Sequence, residues 1–264
     1  MDVRLVRPQC EFFYKYTNAQ DPDRIQSIIL EHQLYFPTAS QLNDPMEAKP
    51  KLTSSSIEKT KAHIFQCYVR NNPGLSPEKH AAALIDIERM SNRLGLDGLL
   101  RELAESIHPK LEGYRIYSLS KRWNIMSLWA SYGGNHTGVC LEFANSGPPF
   151  TSALEVTYDG KVELDITDPD QLDPTFFFHK STDWQHEEEV RIFVLRDTDP
   201  RVQFDRMLLR RIILGKDVQA DFRNQVLAWG RMREPNLLVV QADYDAYEQR
   251  LVLGAPQPAS ALHS

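Results

Sequence analysis

Cysteine is scarce: Cys10, Cys67 and Cys140 are widely spaced and form no CxxC or zinc-knuckle arrangement. That excludes a disulfide framework and reads as reduced thiols in a cytoplasmic protein. Long apolar runs are missing as well. None approaches about 18 residues, and the opening MDVRLVRPQC lacks the apolar core of a signal peptide, so a soluble chain with no membrane partner is expected. Positive charge is not in excess. Thirty Lys and Arg against 36 Asp and Glu leave a formal net charge of −6. This argues against nucleic-acid binding by bulk electrostatics, though a local basic patch remains open. GxGxxG, Walker A and GxSxG are absent, which removes the signatures of dinucleotide folds, P-loops and serine hydrolases. No HxxxH or HxH spacing marks a metal site, so no metal is expected. No internal repeat or low-complexity tract occurs.

What is present is ordinary globular material, 42% hydrophobic and 25% charged over 264 residues. That length suits one large domain or two small ones. The most informative stretch is Trp184 to Val194, WQHEEEVRIFV. Its second half is rich in Val, Ile and Phe, which predicts a strand over 189–194. Alternate side chains of a strand share a face. Glu187, Glu189, Arg191 and Phe193 then line one side, and Val190, Ile192 and Val194 fill the other. The two Glu Cα atoms fall roughly 6–7 Å apart at ~3.3 Å per residue. A helical alternative pairs Glu187 with Arg191 at i,i+4 and caps with Asp183.

Around that stretch the pattern predicts an α+β fold: a single domain over 1–264 with one mixed, mainly antiparallel sheet, a helical insertion at 54–110 and a C-terminal tail at 244–264. Residues 11–16 (EFFYKY) read as the first strand, followed by a helix carrying Ile25, Ile28 and Ile29 and a short strand at 34–38 halted by Pro37. Helices follow at 54–72, from Ser76 to Gly95, and at 97–108. Residues 114–120 return to strand, then a short helix holds Met126 and Trp129 and stops at Gly133-Gly134. Strands are expected at 136–143 and at 153–158 as its neighbour, then at 210–215 and 236–242, with a helix at 217–230 between the last two. The tail beyond Pro256 is expected to fray.

Four constellations could carry chemistry. In the Glu187/Glu189/Arg191 row, a carboxylate could stabilise an oxocarbenium-like centre or orient a ribose hydroxyl; the plain alternative is a solvated face with weak ion pairs. Lys15 faces opposite to Tyr14 and Tyr16 on the first strand, so that strand could stack a ring on one side and pair a phosphate on the other. Otherwise it is a core strand with a snorkelling lysine. Asn43-Asp44-Pro45-Met46-Glu47 either caps a short helix or, with Lys49, forms a carboxylate–lysine set of the kind metal-dependent nucleases use. In Trp129-x-x-Tyr132-Gly133-Gly134-Asn135-His136, His136 is a candidate base or donor, or a structural tie for the turn.

These motifs, in this order and together with Leu34-Tyr35-Phe36, His136-x-Gly138-Val139-Cys140-x-x-Phe143 and Val156-x-Tyr158, resemble a bacterial family named only domain of unknown function two-nine-seven-one. The resemblance spans residues 12 to 242 and implies no chemistry. A second resemblance is to ADP-ribosyltransferases, through the opening strand–helix–strand and the late Glu187-x-Glu189. It implies NAD as substrate, a first-strand cofactor contact at the place of Lys15, a middle aromatic or Ser strand supporting nicotinamide, and Glu189 as the catalytic carboxylate with Glu187 beside it. In that reading Tyr35 or Trp184 would stack on a ring, and Arg191 and Lys15 would meet phosphates; Tyr14, Tyr16, Asn43, Asp44, Trp129 and His136 are further candidates for binding substrate or cofactor. By analogy the role would be a toxin or phage-defence effector, with a protein or nucleic-acid acceptor and an antitoxin or other partner protein. The alternatives are a non-catalytic regulatory module that binds a ligand or a protein, and a metal-dependent nuclease.

Overall fold

The computed structural model describes residues 5–44, 49–111, 113–159, 163–167, 174–194, 198–233 and 237–259. In chain order these form β1 (Phe12–Thr17), α1 (Pro22–Gln26) running into a π turn (Ser27–Glu31), β2 (Gln33–Tyr35), β3 (Lys51–Thr53), α2 (Ile57–Asn71) and α3 (Pro77–Leu111). Next come β4 (Arg115–Ser120), α4 (Met126–Ser131), β5 (Val139–Ala144), β6 (Leu154–Glu155), β7 (Thr157–Tyr158), β8 (Glu163–Asp165) and β9 (His179–Lys180). The last are β10 (Glu189–Val194), β11 (Arg201–Gln203), β12 (Leu209–Leu214), α5 (Ala220–Arg233), β13 (Leu238–Asp245), β14 (Arg250–Leu253) and β15 (Gln257–Pro258). The class is α+β, with a mostly antiparallel sheet and a helical insertion. Two compact units emerge, one of Thr38–Tyr114 with Asp159–Ser181, the other of Asp2–Pro37, Arg115–Tyr158 and Thr182–Ser264.

The first unit is built on the insertion. Ser56 caps α2 by accepting from the Lys59 amide at 3.2 Å, which satisfies one of the free N–H groups of the first turn. α3 is two helical runs meeting at Gly95, whose φ of 67° only glycine adopts without strain. Leu100 of α3 packs with Leu52, Leu164 and Ile166, and Leu52 and Leu164 sit opposite each other in the parallel pair β3–β8. The second run of α3 thus covers a strand pair with a small core of its own.

The second unit holds the large sheet, in the order β14-β13-β12-β5-β1-β4-β10-β6, with β15 also on β13. All neighbours are antiparallel except β12 and β13, which α5 connects in parallel. One face is largely apolar. Phe13, Leu119, Leu141, Val190 and Ile212 meet Ile25, Ile28 and Ile29 of the α1 segment and Val226 and Leu227 of α5. The other face carries a smaller apolar patch under α4, with Tyr16, Cys140, Ile213 and Trp129.

Three expectations change. The 153–158 segment does not border the 136–143 strand: β6 pairs with β10, while β5 lies between β1 and β12. Phe150 stacks on Phe143 with centroids 4.6 Å apart, and the turn anchored by its buried ring carries the chain away from a hairpin. Second, the tail is partly folded. β14 pairs with β13, residues 257–258 do the same, and Ala259 is fully buried. Third, Glu187 is not on the strand, because residues 182–187 form a 3-10 turn.

Candidate site: a polar row across the large sheet

Sequence alternation and strand register together build the site. β10 begins at Glu189, and its Val190 and Ile192 enter the apolar core. Glu189 and Arg191 therefore project from the opposite face. Glu189 lies opposite Ser120 of β4, Ser120 opposite Tyr14 of β1, Tyr14 opposite Glu142 of β5, and Glu142 opposite Arg211 of β12. Five adjacent strands thus contribute one polar side chain each to a single row. Ser118 lies beside it, opposite Arg191.

The row is closely held. Arg191 forks onto Glu189, Nε to Oε1 at 2.8 Å and Nη2 to Oε2 at 3.1 Å. The two side chains are 1% and 4% exposed. At the other end Tyr14 donates to Glu142 Oε2 at 3.2 Å. Arg211 Nε is 3.2 Å from Glu142 Oε1 yet not aligned for a hydrogen bond. Burial pushes the Glu142 carboxyl up, against the opposing pull of Arg211 and the Tyr14 hydrogen bond. Burial, then the Glu142 charge, likewise raises the Tyr14 phenol well above its usual range.

Burying a charge costs several kcal/mol after relaxation (about 20 in the idealised limit). Ser120, Glu142, Glu187, Glu189 and Arg191 are all buried at this one place. Such a concentration adds little net stability and marks a site where polarity is wanted.

The turn entering β10 is clamped from several elements. Tyr132, just past α4, donates to Glu187 Oε1 at 3.0 Å. Ser120 Oγ donates to the Glu187 carbonyl at 2.8 Å. Arg122 meets Glu188 Oε1 at 2.8 Å. Tyr158 Oη accepts from the Glu189 amide at 2.8 Å. Glu188 itself has φ of 46°, a left-handed conformation costing a non-glycine residue roughly 1–2 kcal/mol. That residue turns Glu187 out of the strand row, so the two carboxylates approach from a turn and a strand instead of from one edge.

Other candidates fall elsewhere. Lys15 projects from the opposite face, as alternation predicts; its Nζ is 4.7 Å from the Tyr117 ring centroid and donates to the Ser118 carbonyl at 2.7 Å. It therefore does not share the face of Glu189 and Arg191, and the combination of Lys15 with that row on one ligand surface is corrected. Tyr16 is buried and bonded to the Arg122 carbonyl at 2.8 Å. Tyr35, 37% exposed, is on a separate two-stranded ribbon opposite Arg201. Trp129 is fully buried, edge-on to Tyr16 at 5.3 Å and stacked on His136 at 5.9 Å. His136 has φ of 66°, and its Nδ1 is buried without a hydrogen-bond partner. Trp184 stacks on His186 at 6.5 Å in the turn before β10. Asn43 is exposed and Asp44 buried, both in the first unit; Pro45, Met46 and Glu47 lie outside the described residues.

Sequence reasoning passed over Ser118, Ser120, Glu142, Tyr14's partnership with Glu142, and Arg211. The available signal was Glu142 itself, a charge between Leu141 and Phe143 in a strand otherwise fit for a core. Among the described residues no group of three or more His, Cys, Asp and Glu could hold a metal ion, and no helix is long and apolar enough to cross a membrane. All three cysteines are free thiols. No protein-family model matches the chain, and no curated protein or solved structure is measurably similar to it.

Proposed function

We propose that the protein acts at the N-glycosidic bond of a nucleotide such as NAD⁺, as an ADP-ribosyltransferase or glycohydrolase. The observation that carries this reading is the row Glu189–Ser120–Tyr14 over three adjacent strands. A first strand, a middle serine strand and a late glutamate strand stand side by side, the kinds of strand the transferase resemblance names, although Tyr14 and not Lys15 faces the row. In the reaction the C1′–N bond breaks and its electron pair passes to the ring nitrogen, so neutral nicotinamide leaves. Positive charge builds on the ribose, and an acceptor or water bonds to C1′ and gives up its proton. Glu189 opposes that charge in a dry setting where such interactions are strong. Arg191 holds the Glu189 carboxylate in one orientation. Glu187, held by Tyr132 in the turn that enters β10, is the second acidic candidate.

A second reading, a binding module without chemistry, is favoured by the same buried fork, since a carboxylate already engaged with arginine also suits a purely structural pair. Incubating the purified chain with NAD⁺ and cell lysate, beside Glu189→Gln, separates the two. Transfer or hydrolysis requires nicotinamide release that the variant loses by at least ~10²-fold, the usual scale for removing one charge-stabilising group. Absence of release by the wild type, together with no thermal shift on adding NAD⁺, would leave the binding module standing.

A further inference from the structure

Tyr14 belongs to the row that carries the reading above, but the chemistry there gives neither it nor Glu142 a role. Tyr14 has one O–H proton, and it goes to Glu142 Oε2 at 3.2 Å. Glu142 is 3% exposed and is met on its other side by Arg211 at 3.2 Å. A carboxylate accepts and cannot donate, so the phenol must be the donor in this pair. Its oxygen is then left with lone pairs alone, and donation to a charged partner strengthens it as an acceptor. Tyr14 is half-buried while Glu142 is enclosed, so Tyr14 is the member that a ligand can reach. Its strand lies two strand spacings from Glu189, about 9–10 Å at ~4.8 Å each. A ribose at Glu189 would bring its attached ring substituent towards Tyr14.

We infer that Tyr14 is a ligand-facing hydrogen-bond acceptor and that Glu142, anchored by Arg211, is the positioning residue that keeps it one. The site then selects a pyridine dinucleotide whose ring substituent carries an N–H donor, such as a carboxamide. This inference rests on the nucleotide reading above. Burial and the neighbouring Glu142 charge keep the Tyr14 proton in place, which preserves the one-way hydrogen bond.

The test compares NAD⁺ with its 3-acetylpyridine analogue, in which a methyl group replaces the amide NH₂ at the same charge. Calorimetric titration of the full chain should show NAD⁺ binding about tenfold tighter, the effect of one hydrogen bond at the strong end of the range. Tyr14→Phe removes the acceptor. Glu142→Gln lets the new amide donate to Tyr14 and frees the phenol to donate outward. Both variants should bring the two ligands within about twofold of each other. A merely structural loss would weaken both ligands alike and keep their ratio. If Glu142→Gln fails to fold, Tyr14→Phe carries the same comparison. An unchanged ratio in the folded variants, or a wild type that binds both ligands equally, overturns the inference while nicotinamide release leaves the nucleotide reading intact. A wild type that binds neither ligand and releases no nicotinamide overturns both.

Discussion

Replacing Arg191 by Met tests whether the Glu189–Arg191 fork is an obligate buried pair. The substitution keeps an unbranched side chain but deletes both hydrogen bonds, at 2.8 and 3.1 Å, from a carboxylate 4% exposed. A charge left in that position without its partner costs about 3–5 kcal/mol. Replacing both members by apolar residues, Glu189→Leu with Arg191→Met, removes the stranded charge. The double variant is therefore expected within about 1–2 kcal/mol of wild type, or more stable. The coupling between the two sites should accordingly be several kcal/mol. Urea unfolding followed by tryptophan fluorescence reports the relevant unit, because Trp123, Trp129, Trp184 and Trp229 all belong to it. A cost below about 1 kcal/mol for Arg191→Met, the range of a solvated pair, would refute the reasoning. So would a double variant that merely sums the single losses. The same series guards the activity assay, since Glu189→Gln also leaves Arg191 facing an amide.

Two further outcomes follow from the packing and the charges. A Cβ added at Gly138 would stand 2.1 Å from the Thr17 carbonyl oxygen; Gly138→Ala should therefore cost about 3 kcal/mol, measured by the same urea titration. His136 is held below its usual pKa, first by burial and then by Lys216, with Asp217 opposing. Its folded state favours the neutral ring, so stability is fully present above pH ~6.5 and falls as the pH drops from there through the lowered value. The difference in melting temperature between wild type and His136→Gln should narrow from pH 7.5 to pH 5, and a constant difference would exclude this titration.

Much of the fold was legible because it is local. Val190, Ile192 and Val194 announce β10 by alternation, and the same period places Lys15 away from Tyr14 and Tyr16. Ser76 just before α3 and Gly95 within it mark helix boundaries that the sequence announces, whereas the Ser56 cap of α2 was not singled out. The polar row was not legible. Its members come from positions 14, 120, 142, 189 and 211, and a one-residue change in any register would send that strand's residue to the apolar face. Only long-range pairing fixes those registers. Glu187 was misplaced for a different reason. The run Glu187-Glu188-Glu189 contains no glycine or asparagine to signal a left-handed residue, and the conformation of Glu188 is imposed by Lys121, Arg122 and Ser120 around it.

The seam between β1 and β4 has a mechanical consequence. β1 meets β5 along six residue pairs and β4 meets β10 along six, yet among the described residues β1 and β4 register at Tyr14 and Ser120 alone. Beyond that point the Ile116 amide turns to the Pro37 carbonyl, and the Lys15 ammonium takes up the Ser118 carbonyl. The sheet is thus two complete ladders fastened at one point, and separating them there breaks far fewer backbone bonds than bending either ladder. Glu142 and Arg211 ride on one ladder, Glu189 and Arg191 on the other. A hinge motion at the fastening would change the gap between the two carboxylates while leaving each one's arginine in place.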